Sequence, residues 1–219
     1  MIKIDLHTHS IISPDGAGSI TENNFKEFLE KGILDCIAIT DHNETSFAIN
    51  LQKKLGNKII VGEEIKTCDG EIIGLFLKKT IPAGLNVKET IHEIRKQNGL
   101  VYIPHPFETI RKSLKLPVLE EIISNIDIFE VFNGRGRFYG KTKKASEFAK
   151  KYDLIASSSS DAHGYRGIGN TFVTIDTIPN RNTLKQLLKN GKLQKTYATF
   201  WAYLYPVTNM IKSKLRIKK

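Results

Sequence analysis

Short, almost entirely apolar runs alternate with amphipathic segments along most of this 219-residue chain. The run at 35–40, Asp-Cys-Ile-Ala-Ile-Thr, is typical of a strand buried on both faces in a parallel sheet. About seven strand-then-helix units of this kind predict an α/β domain, either a closed barrel or an open, doubly wound sheet. The predicted strands lie at 2–4, 35–40, 58–65, 100–103, 126–132, 154–158 and 171–175, and a hairpin turn is expected at Asp69-Gly70.

The distribution of the histidines favours the barrel. Every histidine except His92, which falls in a predicted helix, lies at or just past the end of a predicted strand. The C-terminal ends of barrel strands form one ring, where barrel active sites lie, whereas an open sheet would spread these residues along an edge. The sequence therefore predicts a barrel whose rim carries His7, His9, His42, Glu64, His105, Asp161 and His163.

The first of these strand ends, Asp5-Leu6-His7-Thr8-His9, already suggests metal binding. Side chains two residues apart in a strand point to the same side, so His7 and His9 can chelate one ion. The alternative is two unconnected histidines, one packed and one exposed. Imidazoles and carboxylates without thiolates suit Zn, Mn or Fe. The set is too large for one tetrahedral ion, so we expect two or three divalent ions with a bridging carboxylate, as in many phosphatases and nucleases.

Five short motifs in a fixed order resemble the polymerase and histidinol phosphatase (PHP) domain family. They are Asp5–His9, Thr40–His42, Gly62–Glu64, His105-Pro106 and Ser160–His163. The resemblance covers nearly the whole chain, to about Ile175. It implies a distorted seven-stranded (β/α)7 TIM-like barrel, a trinuclear metal site and phosphate ester hydrolysis.

The resemblance also assigns ligand roles, position by position. It implies one ion held by His7, His9, Glu64 and Asp161. Glu64 would bridge to a second ion, which His105 also holds. A third ion would be held by Asp15, His42 and His163, with Asp15 standing where some family members have histidine.

The second ion has the fewest protein ligands in this assignment. Many family members give it a further histidine beyond the fifth strand, and this chain has no histidine between His105 and His163. Glu130 or Asn133 could substitute, although Glu130 could equally be an outer partner of a ligand. We therefore expect the second ion to be weakly held or partly occupied.

Two further acidic residues lie beside predicted ligands. Residues alternate faces along a strand, so only one of Glu63 and Glu64 should reach the rim, and the family spacing selects Glu64. Asp41 is interpreted as a cap or as an outer partner of the site next to His42.

Arginines on the rim loops are candidates for binding the substrate phosphate. The expected mechanism is in-line attack on phosphorus by a metal-bound hydroxide, with cations stabilising the equatorial oxygens. Arg135 is the first candidate, Arg111 the second and Arg166 the third, and the alternative for each is an exposed loop arginine. No residue can be named as the general acid.

Charge and cysteine content indicate which binding partners and which cellular location to expect. A net charge of +10 and a pI near 9.5 favour anionic partners: phosphorylated metabolites, nucleotides, nucleic acid or an acidic membrane surface. A generally basic proteome or a high-temperature cytosol would give the same charge. Cys36 and Cys68 make no disulfide framework, so we expect a reducing, cytoplasmic location. The first residues do not resemble a signal peptide, and no apolar run approaches the ~18 to 20 residues of a membrane span.

We predict one barrel domain over residues 1–195 and a C-terminal extension over 196–219. The extension holds Trp201, Tyr203 and Tyr205 and a basic run from Lys212 to Lys219. One interpretation is an aromatic and basic arm for nucleic acid or an anionic membrane. The other, which we prefer, is a helix packed across the barrel with a frayed tail.

The leading functional hypothesis is a metal-dependent phosphoesterase acting on a small phosphorylated metabolite or a nucleotide. The charge and the aromatic extension also favour a 5′–3′ exonuclease or a nucleotide-bisphosphate phosphatase, although the chain lacks room for the inserted domain of larger members. A non-catalytic, metal-stabilised accessory domain is a third hypothesis, and the nearly full ligand set argues against it. No feature selects metal-dependent C–N hydrolysis.

Overall fold

The computed structural model describes residues 1–14, 18–199, 201, 202, 208, 209 and 211. Its strands are β1 (Ile2–Thr8), β2 (Cys36–Ile39), β3 (Ile59–Lys66), β4 (Glu71–Leu75), β5 (Leu100–Ile103), β6 (Ile128–Asn133), β7 (Ala156–Ser159), β8 (Phe172–Ile175) and β9 (Lys192–Gln194). Its helices are α1 (Glu22–Glu30), α2 (Ser46–Leu55), α3 (Val87–Lys96), α4 (Leu116–Glu121), α5 (Thr142–Lys151) and α6 (Leu184–Lys189). Within these described residues, no helix combines the length and the apolar character that a membrane crossing requires.

The strands form one sheet in the order β7-β6-β5-β4-β3-β2-β1-β8-β9. The pairs β1–β2, β2–β3, β5–β6 and β6–β7 are parallel. The chain that leaves β7 returns to β1, because Asp161 N donates to the His7 carbonyl oxygen at 2.9 Å and His9 N donates to the Ala162 carbonyl oxygen at 3.0 Å. The sheet is therefore nearly closed, which confirms the predicted TIM-like α/β barrel.

Within the described part of the chain the sheet has nine strands rather than the predicted seven, because it includes antiparallel strands at two places. β4 is the second arm of the predicted hairpin and pairs antiparallel with both β3 and β5. β8 runs antiparallel to β1, with Ile175 opposite Ile2, and β9 extends this edge. Burial alternates along β8, as expected for an antiparallel strand with one partly solvated face.

Both faces of the parallel strands are covered. Ile37 of β2 packs in one apolar cluster with the helix residues Phe25 and Leu51, whereas its neighbour Cys36 packs in a second cluster with Tyr102 of β5. All residues of β2 are buried, as predicted for a strand covered on both sides. This packing fixes the strand ends, and with them the side chains on the rim.

Described parts of the C-terminal extension contact the barrel close to the rim. Ala198 N donates to the Gly134 carbonyl oxygen at 3.0 Å, and Asn209 Nδ2 donates to the His163 carbonyl oxygen at 3.3 Å. These contacts agree with a segment that packs across the barrel. Tyr203, Tyr205 and the basic run at 212–219 lie outside the described residues, and a domain boundary at residue 195 stays a prediction.

Asp127 ties together three elements at the opposite end of the barrel. Its buried carboxylate accepts hydrogen bonds from Arg95 at 2.5 Å, from Val101 N at 2.8 Å and from Lys185 at 3.0 Å. Burial alone would raise the pKa of Asp127, but the Arg95 hydrogen bond and the other donors hold that pKa below its ordinary value. The ionised carboxylate therefore stabilises the folded state.

We expect Asp127→Asn to lower the free energy of unfolding by about 2 kcal/mol at pH 7. A folded-state pKa below the unfolded value gives stability that is present above the unfolded pKa and lost as pH falls through the folded pKa. The gap between wild type and variant should therefore shrink below pH ~4. Urea unfolding at pH 7 and pH 3 measures it, and an equal loss at both would contradict this account. Glu121→Gln, in an exposed pair with Lys88, is the control and should change stability by less than ~0.5 kcal/mol.

Candidate metal centre

The barrel brings the predicted ligands to one rim. His7 lies in β1 and His9 just beyond it, His42 follows β2, Glu64 lies in β3, His105 follows β5, and Asp161 and His163 follow β7. All of these side chains are buried except that of His42, which is 19% exposed. Asp15 lies outside the described residues, and its assignment stays a prediction.

His7, His9, Glu64 and Asp161 converge on one point. The Nε2 atoms of His7 and His9 are 3.2 Å apart. Glu64 Oε2 lies 3.3 Å from each of these nitrogens, and Asp161 Oδ1 lies 3.7 Å from the first and 3.4 Å from the second. The ligand-type atoms of these residues thus face one another in the combination expected for the first ion.

Glu64 links this point to two further groups. Its Oε1 lies 2.8 Å from His105 Nε2, on the side expected for the second ion. Its Oε2 also lies 3.4 Å from His42 Nδ1. The ligand-type nitrogens of His9, His42 and His163 lie within 4.8 Å of one another, where the third ion is expected. A carboxylate that presents its two oxygens to different imidazoles is placed to bridge ions.

The hydrogen bonds of His105 test whether a cation fits between these groups. Ser113 Oγ donates to the His105 carbonyl oxygen at 2.6 Å and lies 3.2 Å from His105 Nδ1, so it accepts a hydrogen bond from the Nδ1–H group. His105 Nε2 then turns its lone pair towards the Glu64 carboxylate. Two electron-rich groups that face each other are complementary to a cation, so the residues present fit a divalent metal ion.

Burial keeps several of the imidazoles neutral. It lowers the pKa of His9 and of His163 well below the ordinary value. Burial and the nearby charge of Arg111 lower the pKa of His105 to about 4. Neutral imidazole is the form of histidine that binds metal ions.

His7 and Glu64 form an ionic pair at the centre of the cluster. Burial would lower the pKa of His7, but the carboxylates of Glu64 and Glu130 raise it to about 9. Burial would raise the pKa of Glu64, but His42 and His7 hold it well below the usual range. Glu64 is therefore ionised at neutral pH, and an ion that binds His7 must displace its proton.

The backbone is unusual at two of the predicted ligands. His105 has a φ of 29° and Asp161 a φ of 52°, in the left-handed region that residues with a β-carbon rarely adopt. Such conformations cost roughly 1–3 kcal/mol each and cluster at functional sites. Here they turn two side chains into the rim as the chain leaves β5 and β7.

Glu130 contacts two of the predicted ligands from outside the cluster. Its Oε1 accepts from Tyr102 Oη at 2.9 Å and lies 3.4 Å from His7 Nδ1. Its Oε2 accepts from His105 N at 2.5 Å and from Asn133 Nδ2 at 3.0 Å. Of the two roles that the sequence leaves open for Glu130, these contacts favour an outer partner that orients His7 and His105.

Replacing Glu130 by Gln should weaken divalent metal binding by about 10- to 100-fold, the usual cost of losing an outer carboxylate partner of a ligating histidine. Titration of Zn²⁺ against a fluorescent competing chelator measures the change. Glu120→Gln, at an exposed position of α4, is the matched control and should bind as wild type does. Unchanged affinity in Glu130→Gln would contradict the orienting role.

Glu63 takes its predicted position, and the role predicted for Asp41 stays a prediction. Asp41 accepts from Ser10 N and Ser10 Oγ, each at 2.6 Å, and so fixes the loop that follows His9. Glu63 points away from the cluster, where its Oε2 accepts from Ile81 N at 2.9 Å. Glu64, and not Glu63, faces the rim.

Two of the three predicted arginines reach the cluster. Arg111 contacts the Asp161 carboxylate through Nη1, and Arg135 Nη1 lies 3.2 Å from Asp161 Oδ1 and 2.9 Å from His163 Nδ1. Both line a cleft of about 530 Å³ over the ligands. Arg166 is exposed and does not line this cleft, which favours the loop alternative for that residue.

Sequence reasoning missed Glu71, which also lines the cleft. β4 is antiparallel to β3, so its first residue, and not its last, lies at the rim. Glu71 Oε2 is 3.9 Å from His105 Nε2, and its carboxylate lies within 4.8 Å of ligand-type atoms of His42 and Glu64. The turn at Asp69-Gly70 was the available signal, since it places the next residue at the same end as Glu64.

Comparisons with known proteins agree with this architecture. A family model described as PHP-associated matches residues 141–193. Uncharacterized protein MJ0417 of Methanocaldococcus jannaschii is 42% identical to this chain, over 92% of the chain and 90% of that protein.

Two solved structures share the fold. One is a two-domain protein from Bacteroides vulgatus containing a predicted PHP-like metal-dependent phosphoesterase, with a TM-score of 0.71 and 19% identity over 89% of this chain and 65% of that protein. The other is the lesion-specific endonuclease PfuEndoQ from Pyrococcus furiosus, with a TM-score of 0.63 and 15% identity over 88% of this chain and 57% of that protein. The ordered motifs, the nearly closed barrel and these matches lead to one conclusion: the chain belongs to the PHP domain family.

Proposed function

We propose that this protein is a metal-dependent phosphoesterase that hydrolyses the phosphate ester of a small metabolite or a nucleotide. The observation that carries the proposal is a cluster of imidazoles and carboxylates at the floor of a cleft lined by Arg111, Arg135, Lys66 and Lys112. Two or three divalent ions, with Zn, Mn or Fe as the candidates, would activate water and neutralise charge on the phosphoryl group. The cationic walls would bind the oxygens of the substrate.

Arg135 lines the cleft and is the first candidate for binding a phosphoryl oxygen. Its Nε is buried and has no acceptor within the described part of the chain. Burial and the neighbouring charge of Arg111 lower the pKa of Arg135 to about 10, so the side chain is still a cation at neutral pH. A buried cation with an unsatisfied N–H is costly, and a phosphoryl oxygen would satisfy it.

Arg111 is held in place by Glu108. The Glu108 carboxylate accepts from Arg111 Nε at 2.6 Å and from Nη2 at 2.8 Å, which leaves Nη1 directed at the cluster. A guanidinium fixed through two hydrogen bonds loses little freedom when it binds an anion. Glu108 is thus a positioning residue for Arg111.

Phosphate release from a broad panel of phosphomonoesters and nucleotides, with protein loaded with Mn²⁺ or Zn²⁺, tests the proposal. His9→Asn should abolish release, whereas His92→Asn, at an exposed position of α3, should leave it unchanged. The proposal fails if the loaded wild-type protein releases no phosphate from any member of the panel.

A nuclease is the second candidate. Lys66 and Lys112 are exposed on the cleft, and Ile110 and Phe138 on neighbouring loops are 71% and 69% exposed, so backbone phosphates and bases both have surfaces to contact. One protein of the same fold is named as an endonuclease. Activity on phosphomonoesters without cleavage of short single-stranded DNA or RNA would exclude this candidate.

The accessory-domain hypothesis is tested by the effect of metal on stability. Thermal melting with Mn²⁺ and with a chelator, beside the turnover assay, separates a structural metal site from a catalytic one: stabilisation without turnover would favour an accessory domain. Cys36 and Cys68 are both free thiols, which supports a cytoplasmic location.

A further inference from the structure

The second ion lacks a protein ligand that the family resemblance leads one to expect. Glu130 and Asn133 are the substitutes that the sequence suggests, and both are already engaged. Both oxygens of Glu130 accept hydrogen bonds, from Tyr102 Oη, His105 N and Asn133 Nδ2. Asn133 Nδ2 donates to Glu130 and Asp161, at 3.0 and 3.2 Å, and its Oδ1 accepts from Arg135 N at 3.0 Å. Asn133 Oδ1 also accepts from Arg111 Nη2 at 3.1 Å, so both side chains are engaged by other groups of the protein.

Glu71 lines the cleft together with Glu64 and His105. Its side chain is only 12% exposed, and its Oε2 lies on the cleft side of His105, 3.9 Å from Nε2. Its carboxylate accepts no hydrogen bond from any residue within the described ranges. Its oxygen, an oxygen of Glu64 and a nitrogen of His42 all lie within 4.8 Å of one another. Glu71 thus faces the two groups assigned to the second ion, Glu64 and His105, across a short gap.

The backbone fixes this position. Glu71 stands opposite Lys66 in the β3–β4 ladder, and Glu71 N donates to the Lys112 carbonyl oxygen at 2.6 Å. The backbone of Glu71 is therefore held both by the sheet and by the loop that follows His105. A rigid strand position is a better platform for a metal ligand than a free loop.

We infer that Glu71 is a protein ligand of the second ion and takes the place of the histidine that this chain lacks beyond the fifth strand. The inference rests on the metal centre of the proposed function. A carboxylate oxygen is a ligand that Zn, Mn and Fe all accept. With Glu71, the second ion has three protein ligands, the other two being Glu64 and His105. The second ion is then held by the hairpin strand β4 rather than by the segment after β6.

The competing account is that Glu71 only offsets the positive charge of Lys66 and Lys112. The two accounts differ in what happens to metal stoichiometry when the carboxylate becomes an amide of the same shape. If Glu71 is a ligand, the amide variant should bind one ion fewer. If Glu71 is only a counter-charge, the variant should bind the same number of ions as wild type.

The test measures bound metal and not only activity. Wild type and Glu71→Gln are equilibrated with Mn²⁺ or Zn²⁺, dialysed, and assayed for metal per chain by mass spectrometry and for affinity by calorimetry. We expect Glu71→Gln to retain one ion fewer than wild type, with affinity for that ion reduced by more than about 100-fold, beyond the usual cost of losing an outer partner. Equal stoichiometry and affinity in the two proteins would overturn the inference.

Glu44→Gln is the matched control. Glu44 lies on the same rim after β2 and accepts from Ser46 N at 2.6 Å, a bond that glutamine can keep while the negative charge is lost. It should bind the wild-type number of ions, and loss of an ion in both variants would overturn the inference in favour of a general charge effect.

A separate measurement checks that Glu71→Gln is folded. In the presence of a chelator, wild type and Glu71→Gln should have equal melting temperatures. Phosphate release by the loaded wild type is scored separately, so a protein that binds ions through Glu71 but hydrolyses nothing refutes the proposed function alone.

Discussion

Glu64→Gln should reduce phosphate release by at least about 10³-fold. Glu64 faces all of the proposed ion positions, through Oε2 towards His7, His9 and His42 and through Oε1 towards His105. Metal activation contributes several kcal/mol to the barrier, and losing about 4 kcal/mol corresponds to a factor of about 10³. The measurement is the turnover rate at saturating metal and substrate.

The adjacent residue provides the control for this prediction. Glu63→Gln changes the same functional group one position earlier on β3, but Glu63 faces away from the cluster and accepts from Ile81 N. Burial raises the pKa of Glu63 to about 8, so this carboxyl is mostly protonated at pH 7 and resembles the amide that replaces it. Turnover by Glu63→Gln should stay close to wild type, and equal losses in the two variants would show that the effect is structural.

The barrel could be predicted because its strands carry two independent signals. Apolar runs such as Cys36–Ile39 mark strands covered on both faces, and polar residues at their ends mark the rim. Strand direction at the edge was not predictable from the same signals. The burial of β8 depends on its partner β1 and on β9, and nothing within Phe172–Ile175 itself states which way it runs.

The site was predictable where it follows the C-terminal ends of parallel strands. His42, His105 and His163 are each placed by that rule. Glu71 breaks the rule because the hairpin reverses the chain, so the relevant end of β4 is its beginning. The roles of Glu130 and Asn133 depend on which donors surround them, and Tyr102 and Arg111 come from distant parts of the sequence. Long-range hydrogen-bond partners of this kind leave no local pattern.

Arg135→Met should lower kcat/KM for phosphate release by about 10²- to 10³-fold, the usual cost of removing one donor that stabilises charge in a transition state. The buried Nε without an acceptor in the described residues is the reason to expect that this arginine meets the substrate. Arg135→Lys keeps the positive charge but loses the planar guanidinium that can donate two parallel hydrogen bonds. It should therefore recover only part of the lost kcat/KM. Steady-state kinetics over a range of substrate concentrations measures both variants.

Two comparisons make the arginine prediction specific to substrate binding. Arg166→Met removes the same charge from an exposed position outside the cleft and should keep wild-type kinetics. Arg135 also lies 2.9 Å from His163 Nδ1, so the metal content of Arg135→Met must be measured beside its activity. Full metal content with reduced kcat/KM is expected if Arg135 binds the phosphoryl group. A parallel loss of bound metal would instead mean that Arg135 acts by holding His163 and Asp161 in place, and the role in substrate binding would then pass to Arg111, which Glu108 already directs at the same point.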